Sequence, residues 1–205
     1  METNVLVKLP KKKFDAKQGF AFALTNYLVK DFKLNGTVLD IGAGRGEYKK
    51  PFQKAGLKYR GIDAEPEEAF INKCSLGNEA IPFSDNHFDV VFMRYVIEHI
   101  DKGEPTKKTL DEIKRVLKPD GVLIMITSDW KLKYETFYDT FDHVSPYTKM
   151  SMRRLLEYNK FETIICRNYI NIPYIWRWFP LFSFRYKFKL NGILYVGRNI
   201  KFIKD

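Results

Sequence analysis

The sequence predicts an α/β fold in which a mostly parallel sheet carries helices on both faces. Strand-like stretches, among them TVLDI, KYRGID and the largely apolar FDVVFMR and VLIMITS, alternate along the chain with segments of helical periodicity. Strands covered on both faces have such continuous apolar runs, because neither face meets water. A glycine-rich turn directly follows the first of these strands. With 205 residues, the chain is long enough for one domain with a sizeable core.

The first predicted element is an amphipathic helix over residues 14–33, which Asn35 and Gly36 end. The strand TVLDI follows, then a helix within EYKKPFQKAG, the strand KYRGID, a weaker strand at residues 71–75 and the strand FDVVFMR. The apolar positions of the first helix recur at helical spacing and are Phe20, Leu24, Tyr27 and Leu28.

The alternation continues in the second half of the chain. PTKKTLDEIKRVL predicts a helix, and the turn KPDG leads into the strand VLIMITS. SMRRLLEYNKF predicts another helix, and ETIICRNYI and GILYVGR predict two last strands. Apolar strands that alternate with helices in this way favour a parallel sheet.

The chain has a formal net charge of +10, from 35 Lys and Arg against 25 Asp and Glu. From Arg167 onward the chain has eight basic residues and one acidic residue, Asp205, so this tail carries +7 of the net charge. Such a charge favours an anionic partner, whether nucleic acid, a membrane surface or a phosphorylated substrate.

Cysteine usage and hydropathy predict the compartment. Cys74 and Cys166 match neither a disulfide framework nor a zinc spacing, which favours a reducing setting. The N-terminus lacks the pattern of a secretory signal, and no apolar run reaches the roughly 18 residues of a membrane-spanning helix. We expect a cytoplasmic protein, with peripheral contact to a membrane left open.

The segment VLDIGAGRG places Gly42, Gly44 and Gly46 just after the first predicted strand. Where a strand turns into a helix, backbone N–H groups and the helix dipole face the sheet edge, and glycines let a ligand approach closely. Asp63 ends the second strand 23 residues after Asp40, close to the spacing of about 20 at which a carboxylate accepts ribose hydroxyls. The turn therefore predicts a nucleotide-type site.

The last glycine of a dinucleotide fingerprint is missing, because Glu47 occupies its position. A bound pyrophosphate needs that glycine, whereas a ligand without phosphates does not. A nicotinamide-dependent oxidoreductase is therefore the weaker hypothesis.

Several segments together resemble the motifs of the class I S-adenosylmethionine (SAM) dependent methyltransferases. VLDIGAGRGEY resembles their first motif, GIDAEP the second, IPFSDNHFDVVFMRYVIEHI the region of the fourth strand, and RVLKPDGVLIMITS the following helix and fifth strand. DHVSPYTKMSMRRLLEYNKF is similar to the late segment of a subgroup that includes quinone-biosynthesis and many small-molecule methyltransferases. These matches are ordered along residues 38–161, which is more specific than any single motif.

The resemblance implies a Rossmann-like sheet of seven strands whose antiparallel last strand lies beside the fifth. From the length of the chain, we expect a single methyltransferase domain over residues 1–205. Its parts would be an N-terminal helical segment (1–35), a SAM-binding core (36–128) and a substrate-side region (129–205). An aromatic and basic insertion, residues 171–191, falls in the last part.

SAM, with S-adenosylhomocysteine as its product, is the implied cofactor. By resemblance, Gly42, Ala43 and Gly44 would pass close to its methionine part. Asp40 would face the ammonium group, and Asp63 would hold the ribose.

The resemblance places further cofactor contacts after the third and fourth strands. Arg94 and Tyr95 would line the donor pocket. The family often has an aspartate near the adenine amine, five residues before the proline of the PF pair, but this chain has Gly77 there. Asn78, Glu79 or the backbone would then contact the adenine, and we expect Asn78 among the cofactor-binding residues.

Methyl transfer needs placement above all, because the methyl donor is already activated, and a base assists only some acceptors. His143 falls where the resemblance puts an active-site histidine. The alternative is a hydrogen bond within the turn to Asp142 or Ser145. His99 is the second candidate base, and its alternative role is packing at a helix start near Ile100.

The remaining candidates are weaker. His87 is expected in an exposed loop, and three scattered histidines predict no metal site. Tyr48 and Glu98 are further candidates for the site, with an ordinary helix surface or helix cap as the alternative.

The insertion should hang over the site, because ligands bind outside the carboxyl ends of parallel strands. It could be a lid packed on the core, an interfacial segment on anionic lipid, or a stacking surface for nucleic acid. A lid that also touches a membrane is the preferred hypothesis. Its aromatic residues are Tyr174, Trp176, Trp178, Phe179, Phe182, Phe184, Tyr186 and Phe188.

The sequence therefore predicts a SAM-dependent methyltransferase that acts on oxygen in a small-molecule, glycan or lipid-linked acceptor. A nucleic-acid methyltransferase and a SAM-binding scaffold without turnover are the alternatives. The sequence leaves the oligomeric state open.

Overall fold

The computed structural model describes residues 16–169 and 192–200. The helices are α1 (Ala16–Asp31), α2 (Lys49–Lys54), α3 (Glu104–Val116), α4 (Trp130–Lys133) and α5 (Lys149–Tyr158), with 3₁₀ turns at Ile97–His99 and Phe137–Asp139. The strands are β1 (Thr37–Ile41), β2 (Lys58–Asp63), β3 (Ile71–Lys73), β4 (Phe88–Arg94), β5 (Leu117–Ser128), β6 (Phe161–Tyr169) and β7 (Gly192–Asn199).

The seven strands form one sheet in the order β3-β2-β1-β4-β5-β7-β6. Strands β1 to β5 pair in parallel, and β7 lies antiparallel between β5 and β6. The predicted fold class, with its antiparallel last strand beside the fifth, is confirmed. Because β1 and β4 are neighbours at the centre, the turns after β1, β2 and β4 meet at one edge of the sheet.

Each face of the sheet carries its own apolar layer. On one face, α1 and α2 pack on the sheet through Leu24, Leu28 and Phe52. On the other face, Leu110 of α3 and Leu156 of α5 are fully buried. Burying a residue of this size stabilises the fold by roughly 1.5–3 kcal/mol.

Some predicted elements differ in extent from the observed ones. α2 has only six residues and begins at Lys49, so a loop separates it from the glycine turn. The predicted turn KPDG lies within β5, because Leu117 already pairs with Phe88 of β4. The insertion at residues 171–191 lies outside the described residues.

Two further expectations concern cysteines and membranes. Cys74 and Cys166 are both free thiols. Within the described ranges, no helix combines the length and apolar character needed to span a bilayer.

Candidate active site

The glycine turn after β1 directs its first amides toward β2. The N–H groups of Gly42 and Ala43 donate to the Ile62 carbonyl at 2.9 and 3.0 Å. The Gly44 N–H donates to Asp63 Oδ2 at 2.8 Å. These three N–H groups therefore donate to β2, and the predicted closeness of Gly42, Ala43 and Gly44 to the cofactor stays a prediction. A turn without these donors suits a ligand that brings no phosphate to it.

Two glycines of the turn have different structural roles. Gly42 has φ +72°, and a Cβ there would come within 2.1 Å of Val96 Cγ2, so Gly42 permits close packing. Gly44 has φ +51°, and a Cβ there would meet nothing within 4 Å. Open space at Gly44 leaves room for a ligand against the backbone.

A cavity of about 520 Å³ opens at the ends of β2 and β4. Asp63 lines it, and the two oxygens of this carboxylate accept the N–H groups of Gly44 and Glu65. These bonds fix the carboxylate at the cavity wall. The other polar and aromatic wall residues include Asn78, Tyr95, His99 and Asp142.

A second cavity of about 400 Å³ lies on the other side of the turn. Gly42 lines both cavities, so a ligand that crosses the turn could occupy both. The walls of the second cavity include Asp40, Ala43, Gly44, Tyr48 and Arg94. Five predicted cofactor residues, Asp40, Gly42, Ala43, Gly44 and Arg94, are thus brought together here.

Asp40 is a buried acid at the bottom of the second cavity, with 2% of its surface exposed. Its Oδ2 accepts a hydrogen bond of 2.7 Å from the Tyr59 hydroxyl. Burial raises the pKa of Asp40 to about 7, while the Tyr59 bond and the Arg94 charge act in the opposite direction. A carboxylate in such a place gains from a cationic ligand.

Arg94 lies among aromatic rings at the end of β4. Its guanidinium carbon is 4.5 Å from the ring centroid of Tyr95, 5.5 Å from that of Phe20 and 5.8 Å from that of Tyr48. Tyr48 is buried, and burial raises its pKa, so the alternative of an ordinary helix surface is wrong. Helix α1 thus contributes Phe20 to the surroundings of this site.

Asn78 lines the first cavity and is exposed, and its contact with the adenine stays a prediction. Glu79 instead accepts the Ser75 N–H at 2.7 Å. Gly77 has φ +80°, and a Cβ there would lie 2.9 Å from Pro105 Cβ. The position where the family often has an aspartate is therefore closed to any side chain by Pro105.

The two candidate bases lie side by side. The ring centroids of His99 and His143 are 4.8 Å apart. His99 Nδ1 lies 3.1 Å from Asp142 Oδ2 and 3.2 Å from the Asp142 carbonyl. His143 Nδ1 lies 2.7 Å from the Phe137 carbonyl, not against Asp142 or Ser145 as the alternative for it proposed. His87 is exposed, as predicted.

Glu98 holds the segment that carries His143. Its backbone carbonyl accepts the N–H groups of Val144 and Ser145, both at 2.9 Å. The Ser145 hydroxyl donates to the Ile100 carbonyl at 2.6 Å. The Glu98 side chain is fully buried, and its Oε1 accepts the Ser128 N–H. Glu98 therefore joins three chain segments at the site.

The family model described as a methyltransferase domain matches residues 14–165. The chain belongs to the methyltransferase domain family. This membership confirms the predicted methyltransferase family and enzyme class. The predicted cofactor, SAM, agrees with the names of structurally similar methyltransferases. The more specific subgroup stays a prediction.

Curated relatives and solved structures of methyltransferases agree with the family. An uncharacterized methyltransferase of Mycobacterium tuberculosis is 29% identical over 104 residues, 46% of this chain and 40% of that protein. A sterol 4-C-methyltransferase of Caenorhabditis elegans is 31% identical over 124 residues, 52% of this chain and 36% of that protein. The chain therefore spans well under half the length of these relatives.

A solved structure, a SAM-dependent methyltransferase from Archaeoglobus fulgidus, shares the fold with a TM-score of 0.70. The two are 18% identical, and the match covers 88% of this chain and 94% of that one. At this identity the likeness concerns the fold.

Some site residues of this methyltransferase domain escaped sequence reasoning. Tyr59 looked like one more residue of a strand, and Asp142 like a turn residue. A polar-tipped residue between two charged residues of a strand, and so on the opposite face from them, was the available signal for Tyr59. Nothing in the sequence indicated that Asp142 would meet His99, because that contact depends on how two loops close.

Proposed function

We propose that this methyltransferase domain binds SAM across the two cavities and transfers its methyl group to an oxygen of an acceptor that enters beside His143. The observation that carries the proposal is the placement of Asp40 and Asp63 on opposite sides of one glycine turn. One carboxylate is available to an ammonium group and the other to ribose hydroxyls.

The residues present fit SAM in shape and charge. The open space at Gly44 gives the ligand a path along the backbone. Asp40 and Arg94, both in the wall of the second cavity, have the charges that complement an ammonium and a carboxylate. When bound, SAM supplies an activated methyl group, so this chain must mainly position the acceptor.

The hydrogen bonds of the two histidines favour a role as base. Carbonyl and carboxylate oxygens only accept hydrogen bonds, so Nδ1 of His99 and of His143 must carry the proton. In the neutral form, the lone pair of each ring is then on Nε2. We assign His143 as the residue that takes the proton of an acceptor hydroxyl, with His99 packed against it.

The surface beside His143 supports an acceptor with an apolar part, such as a lipid-linked molecule. Buried Phe137 packs on His143 and on Trp130 with ring centroids 4.5 and 5.4 Å apart, and the exposed Tyr138 lies on it at 5.1 Å. Phe141 is 95% exposed. Apolar side chains exposed beside a site suit a ligand that covers them.

Calorimetric titration with S-adenosylhomocysteine tests the cofactor site. We expect binding in the micromolar range, about −8 kcal/mol, which weakens at least tenfold in Asp63→Ala. NADH should not bind. Absence of S-adenosylhomocysteine binding by folded wild-type protein would contradict the proposal.

The acceptor is tested separately, with radiolabelled SAM and fractionated lipid-linked, glycan and small-molecule extracts. Mass spectrometry of the product then separates an O-methyl from a C-methyl group, the kind that the name of the C. elegans relative indicates for that protein. Bound cofactor without transfer to any fraction would favour a scaffold. Methylated nucleic acid, with salt-sensitive retention, would favour the other alternative.

A further inference from the structure

Tyr59 reaches across from β2 to the buried acid of the second cavity. Asp40 of β1 pairs with Gly61 of β2 in the sheet register. Tyr59, two residues before Gly61, projects on the same face, and its hydroxyl reaches Asp40 Oδ2 at 2.7 Å. Tyr59 is 6% exposed and Asp40 is 2% exposed. Both polar ends are therefore removed from bulk water.

Gly61 makes room for this contact. A Cβ on Gly61 would lie 3.1 Å from the Tyr59 hydroxyl oxygen and 3.0 Å from Ala43 Cβ. Both distances are shorter than ordinary contacts, so a side chain there would push on the hydroxyl and on the glycine turn together. The strand thus lacks a side chain at the place where Tyr59 approaches the turn.

The charged and titratable groups around Asp40 come from three elements. On β2, Tyr59 donates a hydrogen bond, and Asp63 is a second acid. Arg94 at the end of β4 favours the ionised carboxyl, whereas Glu47 in the turn opposes it. Tyr48, the residue after Glu47, is kept protonated by burial.

The Tyr59 hydroxyl donates its hydrogen bond to Asp40 over the whole physiological pH range. Burial and the nearby Asp40 charge raise the pKa of Tyr59, so its hydroxyl keeps its proton at any physiological pH. A tyrosine hydroxyl has one proton to donate, and it occupies one oxygen of the carboxylate. The other oxygen can accept a hydrogen bond from a second donor.

We propose that Tyr59 is a positioning residue for the cofactor: its hydroxyl holds Asp40 in one orientation and favours the ionised carboxylate, which binds the cofactor ammonium group. The inference rests on the proposed function, because it needs an ammonium group in the second cavity. It makes cofactor affinity depend on pH near neutrality. With the Tyr59 bond and the Arg94 charge opposing burial, the pKa of Asp40 is about 7, so the acid is half protonated near neutrality. A neutral carboxyl does not attract an ammonium group.

The test is S-adenosylhomocysteine affinity, measured by calorimetry between about pH 5.5 and about pH 8.5, with wild type, Tyr59→Phe and Tyr195→Phe. Wild-type affinity should fall about tenfold from pH 8 to pH 6, following the ionised fraction of Asp40. Tyr59→Phe should move the midpoint to higher pH and weaken binding several-fold at pH 7. Tyr195→Phe removes a buried hydroxyl from β7, far from the turn, and should match wild type.

A double variant separates positioning from a loss of structure. Asp40→Asn should bind weakly and without pH dependence, and Tyr59→Phe in that background should cost nothing more. The ¹³C carboxyl resonance of Asp40 in ligand-free protein gives an independent titration curve. The midpoint of that curve should move to higher pH in Tyr59→Phe.

The outcomes distinguish the two proposals. If folded wild type does not bind S-adenosylhomocysteine, the proposed function fails and this inference fails with it. If wild type binds but Tyr59→Phe leaves the midpoint of both titrations unchanged, the inference alone is overturned. The inference would also be overturned if Tyr59→Phe lowered the affinity for S-adenosylhomocysteine equally in wild type and in Asp40→Asn.

Discussion

His99 and His143 lie edge to face, with ring centroids 4.8 Å apart and an angle of 64° between the rings. One comes from the 3₁₀ turn after β4 and the other from the loop before α5. The carbonyl of Glu98 brings them together, because it binds the amides that follow His143. Each ring has its Nδ1 against an oxygen acceptor, so both rings are fixed.

His143→Gln should lower kcat by about 100-fold or more, in line with loss of a general base. The dissociation constant for S-adenosylhomocysteine should stay within twofold, because His143 does not line either cavity. Steady-state kinetics with the identified acceptor and calorimetry make the two measurements. His87→Gln, an exposed histidine on a turn, is the control and should behave as wild type. A larger kcat loss in His99→Gln would transfer the role of base to His99.

Gly44→Ala should weaken cofactor binding at least tenfold while the protein stays folded. The new methyl group meets no protein atom within 4 Å, but it occupies the space through which we place the ligand. The positive φ should cost about 1–2 kcal/mol of stability. Gly56→Ala is the matched control, since Gly56 also has positive φ and open space but lies outside both cavities. Equal affinity of both variants would argue against a ligand at Gly44.

Most strands and helices were predictable because their signals are local. The runs KYRGID and FDVVFMR coincide with β2 and β4 to the residue. FDVVFMR is almost continuously apolar, as buried parallel strands are, whereas KYRGID alternates exposed Lys58 and Arg60 with buried residues. The extent of α2 was not predictable in the same way. The sequence EYKKPFQKAG is helix-like throughout, but the residues up to Tyr48 belong to the turn. The helix therefore has only six residues, Lys49–Lys54, and Pro51 is one of them.

The site was predictable only where a residue follows from a motif. Asp40, Asp63 and the glycines occupy positions that the resemblance assigns, and the structure gathers them. The contacts of Tyr59 with Asp40 and of Asp142 with His99 depend instead on strand register and on loop closure, which single-sequence patterns do not encode.

Asp40→Asn should stabilise the protein at pH 8 but not at pH 4. Burial raises the pKa of Asp40 from its usual 3.8 to about 7, so the folded protein holds this proton more tightly than the unfolded chain. The free energy of unfolding therefore falls as pH rises from about 4 to about 7, and it falls no further from this group above pH 7. Asparagine carries no charge, so the gain at pH 8 should be on the order of a few kcal/mol. Urea unfolding at both pH values measures it.

The exposed Asp120→Asn is the control for that experiment and should give no pH-dependent difference from wild type. A stability gain of Asp40→Asn that is equal at both pH values would contradict the buried-charge explanation. It would point instead to better packing of the amide.

Gly77→Asp, which restores the acid that the family often has near the adenine amine, should fail to improve cofactor binding and should destabilise the fold by about 1–3 kcal/mol. Gly77 has φ +80°, and its new Cβ would lie 2.9 Å from Pro105 Cβ and 3.2 Å from the Pro105 carbonyl oxygen. Asn78→Asp is the matched variant, because Asn78 is exposed and lines the first cavity. It should keep wild-type stability while it changes the affinity for S-adenosylhomocysteine. Thermal unfolding and calorimetry on both variants make the comparison, and a stable, tighter-binding Gly77→Asp would show that α3 can yield at Pro105.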